Sequence, residues 1–460
     1  MNFIKMSSEE VKAKVNNCDI TICIVGLGYV GLCIASVLAD IGYRVIGADV
    51  DSKIIQTVKR GKAPFYESEL DQLVKKVVAS GRLTPTSDVA GATRKSDAVI
   101  ITVGTPPDKS GRISLEYLKA ACKQVGEGLT EGKLIILKST VPPGTTNTVV
   151  RPILEQSSSL KVTKDFLLVY CPERLAEGKA IQELRILPEI IGGVDKKGSE
   201  IAATIFAKLG VQTIQVSKPE VAELVKLADN AWIDLSIAYA NELAKICEKT
   251  GVDVQEVISA ANTLPEVRNW HMLRPGLAGG SCLTKDPLFL LAYAKERGAE
   301  IRLPAIARRI NKRMYLHIAG LIEDAFKEMG KALRGSRVSI LGLAFKGDVS
   351  DLRGSQAVSL ARKLAMEGVS VKAYDPFVTK APKGICTEPD LLSAVKNSDC
   401  VVVATEHTVF KQINLEEIAK CVSKPCGIVD ARGIINPISA VKLGFIWRGL
   451  GRPVEAFQGG

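Results

Sequence analysis

The amino-acid sequence predicts an α/β protein: two doubly wound parallel-sheet domains joined by a long central helix and a helical middle domain. Three observations carry this prediction. Short apolar runs alternate with amphipathic helical stretches from Ile20 onward, as in a parallel sheet covered on both faces. From Lys218 to Lys249 the chain reads as one helix, PEVAELVKLADNAWIDLSIAYANELAKICEK, with no glycine and proline only at its start. The strand–helix alternation then restarts at Arg337 with RVSILGLAF.

In order, the strands of the first sheet are expected at Ile20–Val25, Arg44–Ala48, Ala98–Val103, Leu134–Lys138 and Phe166–Tyr170, with helices over Leu32–Ile41 and Ser114–Glu127. A central helix of about thirty residues spans roughly 45 Å, enough for a spine between domains. Further helices are expected over Asp286–Lys295 and Ala305–Met329. The second sheet takes its strands from RVSILGLAF, SVKAYDP, DCVVVAT and GIVDARG, with a helix over Ser355–Met366. The domains are placed at 1–217, 218–330 and 331–460.

Composition bounds the function. The chain has 460 residues, 46% hydrophobic and 24% charged, the mix of a soluble globular protein. Its eleven cysteines form no CxxC pair, which points to free thiols in a reducing cytoplasm rather than a disulfide framework. With three histidines and none spaced against a cysteine pair, no metal site is expected. The N-terminal MNFIKMSSEEVKAKVNN lacks the apolar stretch of a signal peptide, and no apolar run reaches membrane-spanning length, so no membrane partner is expected. The net charge of +11 is scattered among 50 acidic residues without a basic stripe. That excludes nucleic acid as the expected partner and suits anionic, phosphate-bearing small molecules.

The first strand runs into GLGYVG, placing Gly26, Gly28 and Gly31 as GxGxxG in a Rossmann-like dinucleotide turn. Asp49 ends the second strand, where a carboxylate binds ribose hydroxyls and repels a 2′-phosphate, so NAD is the expected cofactor. TVGTPP and KSTVPPGTT lie just past apolar strands, either as ordinary turns or, beside a dinucleotide site, as the source of cofactor contacts from Thr105, Ser139 and Thr140. YCPERLAEGKA supplies Glu173 and Glu177, for proton transfer, for binding hydroxyls, or as solvated surface groups. On the long helix Glu223, Lys226 and Asn230 share one face, the lysine either functional or a surface residue laid along the helix. In GGSCLTKDP, Cys282 precedes a helix start at Asp286–Pro287, with Asp286 expected as N-cap and Lys285 nearby. Both the helix terminus and the ammonium favour a nucleophilic thiolate, and Gly279 and Gly280 would let a substrate approach.

Together these motifs closely resemble the UDP-glucose/GDP-mannose dehydrogenase family, the NAD-dependent nucleotide-sugar 6-dehydrogenases. The likeness runs from GLGYVG through STVPPGTT, PERLAEGKA, ELVKLADN and GGSCLTKDP to LGLAFKGDVSDLRGS, over nearly the whole chain. The resemblance implies oxidation of the C6 alcohol of a nucleotide-linked hexose to a carboxylate with two NAD+. Cys282 would form a thiohemiacetal and then a thioester, Lys226 and Asn230 would stabilise the oxyanion, and Glu173, Asp286 and Thr140 would assist proton transfer and the water. It further implies cofactor contacts from Tyr29, Val30, Lys53, Glu177, Lys285 and Arg353. Sugar-nucleotide contacts would come from Glu173, Arg174, Glu177, Lys226, Asn230, Gly279, Lys346 and Arg432.

The family is dimeric, with an arginine reaching across from the partner. Arg268 is the candidate, in a loop shorter than the commoner spacing. Pro172-Glu173-Arg174 resembles the enzymes acting on UDP-N-acetylhexosamines. AEG at Ala176 and GGSC resemble the UDP-glucose enzymes, and LRPG at Leu273 the GDP-mannose branch. The expected substrate is UDP-N-acetylmannosamine or its gluco epimer, with UDP-glucose and then GDP-mannose as alternatives. A single-oxidation β-hydroxyacid dehydrogenase and a nucleotide-binding regulator are the readings from other classes.

Overall fold

The computed structural model describes residues 1–106, 113–263, 271–380 and 382–457. The chain divides into two compact units, Met1–Ala228 and Asp229–Gly460.

The first unit carries an eight-stranded sheet among the described residues, in the order β3-β2-β1-β4-β5-β6-β7-β8. Its strands are β1 Thr21–Val25, β2 Arg44–Ala48, β3 Leu83–Thr86, β4 Ala98–Ile101, β5 Leu134–Leu137, β6 Leu167–Tyr170, β7 Glu189–Gly193 and β8 Thr213–Val216. All neighbours are parallel except β6 and β7. The alternation of side chains sorts the core. Ile22, Ile24, Ala98 and Ile100 pack on one face, and Cys23, Val25, Val99 and Ile101 on the other. Because both faces are buried, these strands read as continuous apolar runs.

The second unit holds, among the described residues, a six-stranded parallel sheet, β11-β10-β9-β12-β13-β14. Its strands are β9 Arg337–Leu341, β10 Ser370–Tyr374, β11 Cys386–Thr387, β12 Cys400–Val403, β13 Cys426–Asp430 and β14 Phe445–Gly449. Val338, Ile340, Cys400 and Val402 face one core, and Leu341, Val401 and Val403 the other. The long helix is continuous over Pro219–Thr250. The helix expected over Ala305–Met329 is two helices, Leu303–Lys312 and Met314–Glu328, broken at Arg313. No described helix is long and apolar enough to cross a membrane.

Candidate active site

In the first unit, the strand β1 delivers the chain into the glycine turn. Gly26 has φ +96°, and a Cβ on Gly31 would overlap the Gly26 carbonyl oxygen, so the third glycine is what lets helix Tyr29–Asp40 close on the strand. That helix starts at Gly28 with no side-chain cap, and a Cβ at Gly28 would meet nothing within 4 Å. The uncapped N–H groups and the open approach fit a bound pyrophosphate. Asp49 Oδ2 accepts the Leu27 N–H at 2.6 Å, which fixes the carboxylate against the turn. Replacing Gly31 with alanine should therefore push the turn apart. An NAD titration and a thermal melt should show cofactor affinity down by tenfold or more and stability down by about 1–3 kcal/mol.

Tyr29 and Val30, at the helix start, are half-buried; Lys53 is exposed in the first turn of the next helix, Ser52–Lys59. The hydroxyls of Thr105 and Ser139 are used within the protein: Thr105 Oγ1 donates to the Thr140 carbonyl at 2.7 Å and Ser139 Oγ to the Val103 carbonyl at 2.7 Å. They lock together the two loops that leave β4 and β5. Glu223 serves the same loop, accepting from Gly144 N at 2.5 Å, Thr146 N at 2.8 Å and Thr146 Oγ1 at 2.6 Å. Burial raises its carboxyl pKa, and these donors pull it back. The shared helix face read from the sequence is thus split in use, with Glu223 holding the Thr140 loop.

Lys226 is buried, 3.8 Å from the Glu173 carboxylate. Glu173 also accepts the Leu175 N–H, while Arg174 donates to the Pro188 carbonyl. Glu177 precedes Gly178, whose amide is held by a residue the sequence reading passed over. Glu67 is 5% exposed and accepts from Gly178 N at 2.7 Å, Ala180 N at 3.0 Å and the Tyr29 hydroxyl. It ties the glycine turn to the 173–180 loop. A glutamate in PFYESEL carries no local signal for this, because its partners lie far away in sequence.

In the second unit, Cys282 is exposed, whereas Cys23 and Cys122 are buried and their thiols pushed up to about 12 by desolvation. The Cys282 carbonyl accepts Lys285 N at 3.1 Å and Asp286 N at 2.9 Å, a tight turn into helix Asp286–Glu296. Lys285 is the N-cap residue and Asp286 the first helical residue, so the expected Asp286 cap is corrected. Its side chain turns inward instead, fully buried, accepting from Asn230 Nδ2 at 2.5 Å and Lys285 Nζ at 2.8 Å. The structure so brings Cys282, Lys285, Asp286 and Asn230 into one cluster.

Gly279 and Gly280 have a packing role in the structure. A Cβ at Gly279 would lie 2.7 Å from the Gly354 carbonyl oxygen, and one at Gly280 2.7 Å from the Phe345 ring. The glycines let the cysteine loop pack against the 345–354 loop, which carries Lys346 and Arg353. The Arg353 guanidinium pairs with Asp351 at 2.6 Å. Arg432 pairs with Glu406 and reaches the Leu277 carbonyl at 3.5 Å, just ahead of the cysteine loop. Asn241 grips Gly276 through both its amide atoms, at 2.8 and 3.1 Å, and Gln356 donates to the Ala278 carbonyl at 2.5 Å. Asn241 and Gln356 were also missed, since amides in amphipathic helices look like solvated residues. Arg268 lies outside the described residues. No cluster of metal-binding side chains is found among the described residues.

Comparison with known proteins agrees along the chain. Three models of the UDP-glucose/GDP-mannose dehydrogenase family match: the NAD binding domain over residues 20–210, the central domain over 220–313 and the UDP binding domain over 339–437. The UDP-N-acetyl-D-mannosamine dehydrogenase of Pyrococcus horikoshii is 38% identical over 94% of this chain and 99% of its own. The UDP-glucose 6-dehydrogenase TuaD of Bacillus subtilis is 34% identical over 94% of this chain and 93% of its own. A solved structure of UDP-D-ManNAc dehydrogenase from Pyrococcus horikoshii superposes with a TM-score of 0.86 at 36% identity, covering 94% of this chain and 99% of that one.

Proposed function

Because the chain belongs to the UDP-glucose/GDP-mannose dehydrogenase family, whose members oxidise nucleotide sugars with NAD, we propose that its substrate is UDP-N-acetyl-D-mannosamine, oxidised at C6 to the uronic acid. The observation that carries the chemistry is an exposed Cys282 in the turn ahead of Asp286, a buried carboxylate bonded to Asn230 and Lys285. NAD+ held at the Gly26–Gly31 turn would supply the hydride acceptor for both oxidations at C6, the first of which turns the alcohol into the aldehyde. The Cys282 thiol adds across the C6 carbonyl, its sulfur bonding carbon and its proton passing to oxygen. Once that adduct is oxidised to the thioester, water cleaves the C–S bond, giving the carboxylate and restoring the thiol. Lys226 and Asn230 stabilise the developing oxyanion, and Glu173, Thr140 and Asp286 handle protons and water. Lys346, Arg432, Arg174 and Glu177 serve the sugar nucleotide.

Relatives at 38% and 34% identity carry different sugar names, so the sugar is decided by assay. NADH formation with UDP-N-acetylmannosamine, UDP-N-acetylglucosamine, UDP-glucose and GDP-mannose should be fastest with the first, at two NADH per sugar. A higher kcat/KM with UDP-glucose would overturn the substrate, and one NADH per sugar would overturn the thioester. The division into NAD-binding, central and sugar-nucleotide-binding domains at 1–217, 218–330 and 331–460 is supported by the three matched stretches. The enzyme works in the cytoplasm, in keeping with its free thiols.

The assembly is a homodimer built on the long helix. Trp232, Tyr239 and Ile246 recur every seventh residue and are 65%, 57% and 60% exposed, while Ala240, Ala244 and Cys247 pack into the second unit's core. An apolar stripe at coiled-coil spacing is a helix face made for a partner. Light scattering should give twice the chain mass for the native protein and the chain mass for Tyr239→Glu. A native monomer would sink this assignment.

A further inference from the structure

The loop that leaves β9 is gripped by the segment that leaves β12. Thr405 Oγ1 donates to the Ala344 carbonyl at 2.7 Å, and Gly347 N donates to Glu406 Oε1 at 3.4 Å. Asp348 N donates to His407 Nδ1 at 2.9 Å, and Asp348 in turn accepts from Thr408 N at 2.8 Å and Thr408 Oγ1 at 2.5 Å. Four consecutive residues thus hold the stretch that contains Lys346. The grip is needed because Asp348 has φ +58°, in the left-handed region that a non-glycine residue occupies at a cost.

Only His407 among the four is wholly buried by an aromatic cage, stacked on Phe377 at 5.1 Å and edge-on to Phe410 at 5.2 Å. Its ring is wired at both ends. Nδ1 faces an N–H and so accepts, which leaves the ring proton on Nε2, 3.0 Å from Asp375 Oδ2. Asp375 directly follows β10 and also accepts Leu343 N at 2.7 Å and Ala344 N at 2.9 Å. Asp49 makes the equivalent bond to Leu27 N in the first unit. In the second sheet the acid at this position is thus taken up by His407, and the ring bridges it to the Lys346 loop.

We propose that His407 is a positioning residue, whose Nδ1 bond to the Asp348 amide sets the Ala344–Asp348 loop so that Lys346 meets the anionic sugar nucleotide. This rests on the reading of Lys346 as a substrate contact. An isosteric pair of variants separates the two ends of the ring. In His407→Asn the side-chain oxygen replaces Nδ1 and keeps the Asp348 bond. In His407→Gln the amide keeps a donor toward Asp375 and loses the acceptor at Nδ1.

With UDP as the probe in calorimetry on the full chain, His407→Gln should weaken binding by about tenfold, the worth of roughly one buried hydrogen bond, and His407→Asn by less than about threefold. Amide exchange over 345–348 should quicken in the Gln variant alone. Equal effects of the two variants, or no effect of Gln, would overturn the proposal. Should the Gln variant fail to fold, Thr408→Val removes one bond to Asp348 without disturbing the aromatic cage and should weaken UDP by about threefold; unchanged affinity there also overturns it. Lys346→Ala runs alongside. If it leaves UDP affinity intact, the substrate reading of Lys346 fails, and the exchange difference between Asn and Gln then decides whether His407 holds the loop.

Discussion

Cys282→Ser should end the four-electron oxidation, lowering steady-state NADH formation by about a thousandfold or more, as loss of a covalent nucleophile does elsewhere. A serine hydroxyl is almost wholly protonated at neutral pH, whereas a thiol is partly ionised and far more nucleophilic. The position adds to this. Cys282 is exposed, one turn ahead of helix Asp286–Glu296, and its carbonyl takes the Lys285 and Asp286 amides. Serine would keep the turn and its hydrogen bonds, so the melting temperature should not move. What should move is the chemistry: the first oxidation leaves an aldehyde, and the variant has no thiol to hold it as an oxidisable adduct. Single-turnover assays with enzyme in excess should yield at most one NADH per sugar, and mass spectrometry should find no acyl adduct on the protein. A serine variant that still produces two NADH at near-native rate would sink the covalent route.

How much of this was legible beforehand depended on how local the determining physics is. The strands β1, β2, β4, β5 and β6 were read nearly to the residue because a strand buried on both faces is a continuous apolar run. The glycine turn was legible because a positive φ at Gly26 and overlap at Gly31 leave the chain no other residue. β3 was missed because LTPT contains Pro85, tolerated on an edge strand but a poor strand signal. β8, the opposite edge, has its central residues exposed and so lacks the apolar run.

The functional groups divide in the same way. Cys282 stood out because a thiol in a polar glycine turn is unusual wherever the chain folds. Glu67, Asn241, Gln356 and His407 did not, since each owes its role to partners remote in sequence: Gly178 for Glu67, Gly276 for Asn241, Ala278 for Gln356, Asp348 for His407. Asp286 shows a local rule overridden. Asp-Pro is a sound helix-start signal, but the helix begins a residue earlier than the cap reading required, and Asn230 draws the carboxylate inward.

That inward turn makes Asp286→Asn the second variant with a large expected effect. Asp286 accepts from Asn230 on one oxygen and from Lys285 on the other, both strong contacts in a fully buried setting. An amide has one acceptor where the carboxylate has two. Whichever way it is turned, its NH2 faces either the Asn230 amide or the Lys285 ammonium, donor against donor. The Asn230 amide, proposed to steady the oxyanion, would then lose its fixed orientation, and loss of such a donor typically lowers kcat by about a hundredfold to a thousandfold.

The carboxylate is also the proposed aid to the hydrolytic water, so the second half-reaction should suffer most. In rapid mixing, Asp286→Asn should give a burst of two NADH per active site followed by slow turnover, with the acyl group retained on Cys282 in the quenched protein. A slow phase without a burst would mean that Asp286 acts before the thioester forms, through Asn230 alone. Asn230→Ala then tells the two apart: it should slow the burst itself, because the oxyanion forms in the steps that build the thioester as well as in the one that breaks it.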